Sequence, residues 1–166
     1  MRGPASFRFR MADLIGLLAL GCVAADWQIA APGRPYEFPR DHHAHGAFKT
    51  EWWYFTGNLT DNHGRRFGYE LTFFRQGIRS PIERTGTTSR FIVNDLKFAH
   101  FTVTDAAGKK FLFHQKVSRG SFGDAGFDEG NRLAWIDSWN LRMNPDGSFD
   151  LAADAPDIAI QLHLVA

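Results

Sequence analysis

An all-β, antiparallel fold is predicted by three features of the chain. Three turns share one punctuation: Asp61-Asn62-His63-Gly64, Asp105-Ala106-Ala107-Gly108 and Asn144-Pro145-Asp146-Gly147. Asx suits the first position of a type I turn, and Gly supplies the left-handed residue that closes it. The flanking runs alternate apolar and polar residues with period two, the signature of strands with two different faces. Aromatic residues reach 14%, with 16 Phe among them, and rings pack well on a pleated surface. No amphipathic helix of useful length follows residue 26.

Taken in order, the strands are expected at about 50–60, 66–76, 91–104, 109–118, 133–143, 148–153 and 158–165. Phe67, Tyr69, Leu71 and Phe73 line one face, with Gly68, Glu70 and Thr72 opposite. Phe111, Phe113 and Val117 alternate with Lys110, His114 and Lys116. Leu133, Trp135, Trp139 and Leu141 are expected to share a face on which Asp137 intrudes, and Ile158, Ile160, Leu162 and Leu164 close the series. Such an order predicts an up-and-down lipocalin-like barrel or a large curved sheet. Closure around a ligand takes about eight strands. Either an edge is therefore left open, or the natural protein continues and this chain is its first part; the second is favoured, with residues 48–166 a truncated β-domain.

Residues 1–25 are expected to be a secretory signal. Arg2, Arg8 and Arg10 precede an apolar run from Leu14 to Val23, and Val23-Ala24-Ala25 offers a small-residue cleavage site. The apolar run is about half of the roughly 20 residues that span a membrane. An exported protein, periplasmic or secreted, follows. Cys22 is the only cysteine, and Ala19-Leu20-Gly21-Cys22 loosely resembles a bacterial lipobox. Membrane association through a lipidated Cys22 is thus the alternative to simple cleavage, and the mature domain keeps no thiol for disulfide, metal or nucleophile. Residues 26–47, broken by Pro32, Gly33, Pro35 and Pro39, read as a linker or cap. The net charge of +1, with both signs interspersed, gives no basic patch and sets nucleic acid aside as a partner.

Function is sought first around Lys49-Thr50-Glu51-Trp52-Trp53-Tyr54-Phe55. In a strand, Glu51 shares a face with Trp53 and Phe55, while Trp52 and Tyr54 occupy the other. A carboxylate among rings must be solvated, hydrogen-bonded or shifted in pKa. Glu51 and His100, the latter in the apolar run Lys97-Phe98-Ala99-His100-Phe101, are the candidate acid–base pair. Arg75 ends a long apolar strand and is a candidate for binding a carboxylate, Glu51 or Glu70 among them, or a ligand head group. Trp135, Asp137 and Trp139 repeat the pattern of rings around a carboxylate, with core tryptophans beside a turn Asp as the plainer alternative. His43-x-His45 followed by Glu51 is similar to the first metal-binding motif of cupins, but the spacing is one residue too long and the second motif is missing. No phosphate-binding glycine loop and no nucleophile elbow are present.

Three segments carry a family resemblance: Phe38-Pro39-Arg40-Asp41-His42-x-x-His45, Thr50-Glu51-Trp52-Trp53-Tyr54-Phe55-Thr56-Gly57-Asn58-Leu59, and Arg66-Phe67-Gly68-Tyr69-Glu70-Leu71-Thr72-Phe73-Phe74-Arg75. With Ala99-His100-Phe101 and Trp135-Ile136-Asp137-Ser138-Trp139, they make residues 36–165 resemble the lipocalin-like AttH / hydroxyneurosporene synthase (carotenoid hydratase, CrtC-type) family and its exported branch of secreted hydrolases. The resemblance implies a pair of lipocalin-like domains, of which this chain matches the first. It also implies a hydrophobic small molecule or lipid as ligand, and ABC transporter components as partners. The expected function is an exported protein binding a hydrophobic or amphipathic ligand, with hydrolase or hydratase chemistry as its enzymatic form. Glu51 and His100 would move the proton. His42, His45, Trp52, Trp53, Tyr54, Arg75, Trp135 and Trp139 would hold the ligand. No cofactor and no metal enter that expectation. The alternatives are a non-enzymatic lipid carrier or transporter accessory, and a metal-dependent β-barrel enzyme.

Overall fold

A computed structural model describes residues 27–165 except 85, 87 and 88. The expected signal segment, its cleavage site and Cys22 lie outside the described residues. Among the described residues nine strands form two antiparallel sheets, each a meander in chain order. The first holds β1 (Thr50–Thr60), β2 (Arg66–Gly77), β3 (Asp95–Asp105) and β4 (Lys110–Ser118). The second holds β5 (Ala125–Glu129), β6 (Arg132–Ile136), β7 (Trp139–Met143), β8 (Phe149–Ala155) and β9 (Ile158–Leu164). The sheets are not hydrogen-bonded into a closed barrel, so of the two expected forms the curved, open one is found.

The turns act as anticipated. Gly64 N–H donates to Asp61 O at 3.0 Å and Gly147 N–H to Asn144 O at 3.0 Å, both glycines at positive φ. At the β3–β4 turn the Asp105 side chain accepts from Gly108 N–H at 2.8 Å, and Lys109 rather than the glycine takes the left-handed conformation.

The sheets share one core. Leu71, Phe73, Ala99, Phe101 and Val103 from the first sheet meet Leu133, Ala134, Ile136, Trp139, Leu141 and Leu151 from the second. Trp53 stacks on Phe127 at 4.9 Å, and Phe101 meets the edge of Trp139 at 5.7 Å.

Three expectations are corrected. The single strand expected at 133–143 is two, β6 and β7, joined at Asp137-Ser138 with Asp137 at positive φ. A shift in pairing register between Arg132 and Ala134 then breaks the period of two, so Leu133 and Ala134 both enter the core. Trp135 therefore faces away from Trp139: it lies over Gly126, beneath Arg132, and donates to Gly123 O at 3.1 Å. The third correction concerns β4, whose apolar series faces solvent. Phe111, Phe113 and Val117 are 63%, 48% and 61% exposed, because pairing with β3 sets Leu112 and His114 opposite the inward Val103 and Phe101.

Candidate functional site

Residues 34–48 form a strap across one end of the two sheets. The strap is short of regular structure, with a single 3-10 turn at Arg40–His42, so its polar groups need partners from elsewhere. Those partners include the charged ends of β1, β2 and β3 and Asp128 on β5.

The register set by the Asp61–Gly64 turn places Arg75 directly opposite Glu51. Arg75 is 2% exposed. Its Nε donates to Glu51 Oε2 at 3.2 Å and Nη1 to Asp95 Oδ1 at 3.0 Å. Nη2 donates to the strap carbonyls of His45 at 2.9 Å and Phe48 at 2.7 Å. Arg84 Nη2 adds a second cation to Asp95 at 2.6 Å. Both carboxylates facing Arg75 are thereby balanced, as a buried cation requires.

Glu51 in turn grips His45. Its oxygens accept from His45 N–H at 2.9 Å, and Oε1 lies 2.6 Å from His45 Nδ1. His45 Nε2 reaches Asp41 Oδ1 at 3.1 Å. Asp41 has no exposed side-chain surface and also accepts from Glu37 N–H at 2.6 Å and from Arg34 Nη2 at 3.2 Å. Partial burial disfavours the imidazolium, but bonds to Asp41 and Glu51 outweigh it and hold the His45 pKa above its ordinary 6.5. The Glu37 N–H, His45 and Arg40 hold the Asp41 carboxyl far below the usual carboxylate range.

Further along the strap, Trp53 Nε1 donates to His42 O at 2.8 Å. His43 Nδ1 lies 3.0 Å from Asp128 Oδ1, and Ala44 N–H donates to Asp128 Oδ2 at 2.7 Å, which ties the strap to the second sheet. The His42 ring packs between Phe38 and Phe149, and this burial lowers its pKa.

The expected Glu51–His100 pair is not formed. Glu51 lies on the inward side of β1, whereas His100 pairs across the sheet with Thr72 and Gln115 and faces outward among Phe74, Phe98 and Phe113. The histidine that meets Glu51 is His45. Of the expected ligand-binding rings, Trp53 and Trp139 lie in the core and Trp135 beneath Arg132, while Trp52 and Tyr54 are 59% and 53% exposed. Among the described residues no cluster of three His, Cys, Asp or Glu side chains is arranged to hold a metal ion.

A cleft of about 280 Å³ opens between the strap and β1. Asp41, His45, Glu51 and Arg34 supply its polar groups, and Tyr36, Phe48 and Trp52 its apolar wall. Arg34, Tyr36, Asp41 and Phe48 were not among the residues expected from sequence; the i, i+4 spacing of Asp41 and His45 was the one available signal. A larger depression of about 360 Å³ on the second sheet is bordered by Asn140, Arg142, Asp150, Gln161 and His163, with no aromatic ring.

Two curved antiparallel sheets on one aromatic core, with a strap over one end, define a lipocalin-like β protein. The chain belongs to the AttH-like family, whose sequence profile matches residues 29–166. It is similar to an AttH candidate from Nitrosomonas europaea known from a crystal structure, with 29% identity and a TM-score of 0.63. That match covers 80% of this chain and 38% of the other, so the chain spans well under half the length of that relative. No curated protein matches it.

Proposed function

We propose that this AttH-like chain is an exported binding domain that takes an amphipathic ligand at the cleft between the strap and β1. The observation that carries the reading is the composition of that cleft. Charged and hydrogen-bonding groups (Arg34, Asp41, His45, Glu51) stand on one side and rings (Tyr36, Phe48, Trp52) on the other. Sites for small molecules combine apolar walls with a few convergent polar groups. At about 280 Å³ the cleft suits a head group, with the apolar remainder leaving over the exposed Trp52. The packed core between the sheets supports an external site over a central one. A carrier, or an accessory to a transporter, needs nothing more than this. Export itself rests on residues 1–25.

The test is lipid extraction and native mass spectrometry of the purified protein, paired with tryptophan fluorescence. A co-purifying amphipathic molecule is expected, depleted by Trp52→Ala and Arg34→Ala and retained by Asn140→Ala on the second sheet. Equal retention in all three variants would discard the cleft.

His45 favours a second reading, acid–base hydration or hydrolysis. An imidazole hydrogen-bonded between two carboxylates that raise its pKa, and bordering a cleft, has the make-up of a proton donor. Glu51 would position it, since both its oxygens are already engaged by His45 and Arg75. Turnover of a bound ligand that survives His45→Gln would remove this reading and leave the carrier.

A further inference from the structure

We propose that the cleft between the strap and β1 selects an anionic amphiphile, a carboxylate or phosphate carried on an apolar chain, and that Arg34 is the group that meets the oxyanion. The proposal rests on the cleft reading above and narrows it to one class of ligand. A bound head group can use only those hydrogen-bonding groups of the cleft that the protein has not already engaged.

The acceptors are spent. The Asp41 side chain has no exposed surface. It accepts from the Glu37 N–H at 2.6 Å and from the Arg34 and Arg40 guanidinium groups at 3.2 Å each, with His45 Nε2 3.1 Å away. Glu51 is mostly buried, and its oxygens are held by the His45 N–H, by His45 Nδ1 and by Arg75. A cationic head group would have to displace one of these partners before it reached a carboxylate.

The donors are in the opposite condition. Arg34 commits Nη2 to Asp41 and lays its guanidinium over the Phe48 ring, 5.6 Å from the centroid. Its side chain is 36% exposed, and its other N–H groups meet no acceptor among the described residues. The Tyr36 hydroxyl and the Trp52 indole N–H, both on exposed residues of the same cleft, likewise donate to no protein group among the described residues. Open donors around one accessible cation, beside carboxylates that are buried and satisfied, call for a ligand that brings negative charge and acceptors. Bonds from a guanidinium to an oxyanion are roughly twice as strong as neutral ones, and the arginine fork matches both carboxylate and phosphate.

Apolar surface lies on hand for the rest of such a ligand. Besides the cleft with Trp52, Arg34 borders a second depression of about 380 Å³ walled by Ile29, Ala31 and Pro32, and Tyr36 and Phe48 belong to both. The cation therefore stands at a junction of polar and apolar surface, the place that the head of a chain-bearing anion takes.

The test is titration of the purified, delipidated full chain at neutral pH with laurate, dodecyl phosphate, dodecanol and dodecyltrimethylammonium below their micelle concentrations, followed by calorimetry and tryptophan fluorescence. Laurate and dodecyl phosphate are expected to bind at least about tenfold more tightly than dodecanol, the difference one charged hydrogen bond makes, and the ammonium probe most weakly. Arg34→Gln should erase that preference, Arg34→Lys should keep part of it, and Asn140→Ala on the second sheet should leave it whole, with thermal melting to check each fold. The probe series on the unaltered chain decides the charge preference even where a variant misfolds. Equal binding of all the probes, or tightest binding of the ammonium, overturns the anion; if Trp52→Ala then still removes binding, the cleft itself stands. An anion preference that persists in Arg34→Gln also overturns the proposal. Acetate or inorganic phosphate bound as tightly as the dodecyl forms would make this a site for small anions and overturn the amphiphile. Failure of every probe to bind removes the cleft reading and this proposal together.

Discussion

Beyond their common core, the outer faces of the two sheets differ in kind. The first carries Trp52, Tyr54, Phe74, Phe98, Phe111 and Phe113, and the second Arg132, Arg142, Asp150, Asp154 and His163. On the second sheet the charges find neighbours: His163 Nδ1 lies 2.7 Å from Asp150 Oδ1, and Asn144 Nδ2 donates to Asp150 Oδ2 at 3.0 Å. Trp135, the one large ring there, is shielded by Arg132 at 3.9 Å. That is how an antiparallel sheet normally faces water on one side. On the first sheet Phe74, Phe98 and Phe113 pack on one another and on His100. Since both sheets bury their other face in the same core, stability does not account for the contrast. The difference lies in what each face offers to solvent: rings on the first and paired charges on the second.

Breaking what the sheets share produces the largest effect. Trp139→Ala removes the ring beneath Phe101 and its bond to Asp154 O at 2.6 Å, and should cost about 3–5 kcal/mol. Urea transitions followed by far-UV circular dichroism and by tryptophan emission should shift together. Separate transitions would show two sheets that fold independently, and the comparison of their faces would lose its common reference.

Next comes the charged end of the first sheet. Arg75→Met strands Glu51, Asp95 and the His45 and Phe48 carbonyls, and should cost about 3 kcal/mol, since a buried partner left alone is penalised heavily. Arg75→Lys should recover less than half, because one ammonium cannot reach four acceptors in a planar fork. Urea denaturation of both variants measures this, and full recovery by lysine would reduce the fork to a point charge.

The strap should loosen as pH rises. His45 has a folded pKa above 6.5, so its contribution is complete below that value and is lost as pH climbs through the raised one. Asp41, whose pKa is depressed, gives up its contribution only in strong acid. Hydrogen exchange of residues 34–48 should therefore quicken as pH rises above about 6.5, after correction for intrinsic rates, and His45→Gln should abolish the change. An unaltered pH profile in the variant would shift the cause away from His45.

Much of this was legible in sequence, for identifiable reasons. The Asx-x-x-Gly turns located three hairpins, and the first set a register that puts Arg75 opposite Glu51. Alternation located most strands but carries no sign. Nothing within Phe111-Leu112-Phe113 says which side is inner until pairing with β3 decides it. Strand β5 was missed because Ala125-Gly126-Phe127-Asp128-Glu129 does not alternate; Gly126 is there to make room for Trp135. Glu51 stood out as a carboxylate among rings, whereas its partner His45 arrives through an irregular strap with no period to read.

The smallest effect bears most directly on the contrast between the faces. Tyr54→Thr and Phe113→Thr exchange exposed rings for residues well suited to a strand, so stability of this chain should move by no more than about 0.5 kcal/mol. Asp150→Ala on the second sheet breaks an exposed pair with His163 and should likewise move stability little. Judged by stability alone, the two outer faces are therefore alike. Binding of a hydrophobic dye to this 166-residue chain should separate them, falling steeply in the two ring variants and staying unchanged in Asp150→Ala. A ring substitution that destabilises the chain strongly while sparing dye binding would make those rings part of the fold, and the two outer faces would then differ only in composition.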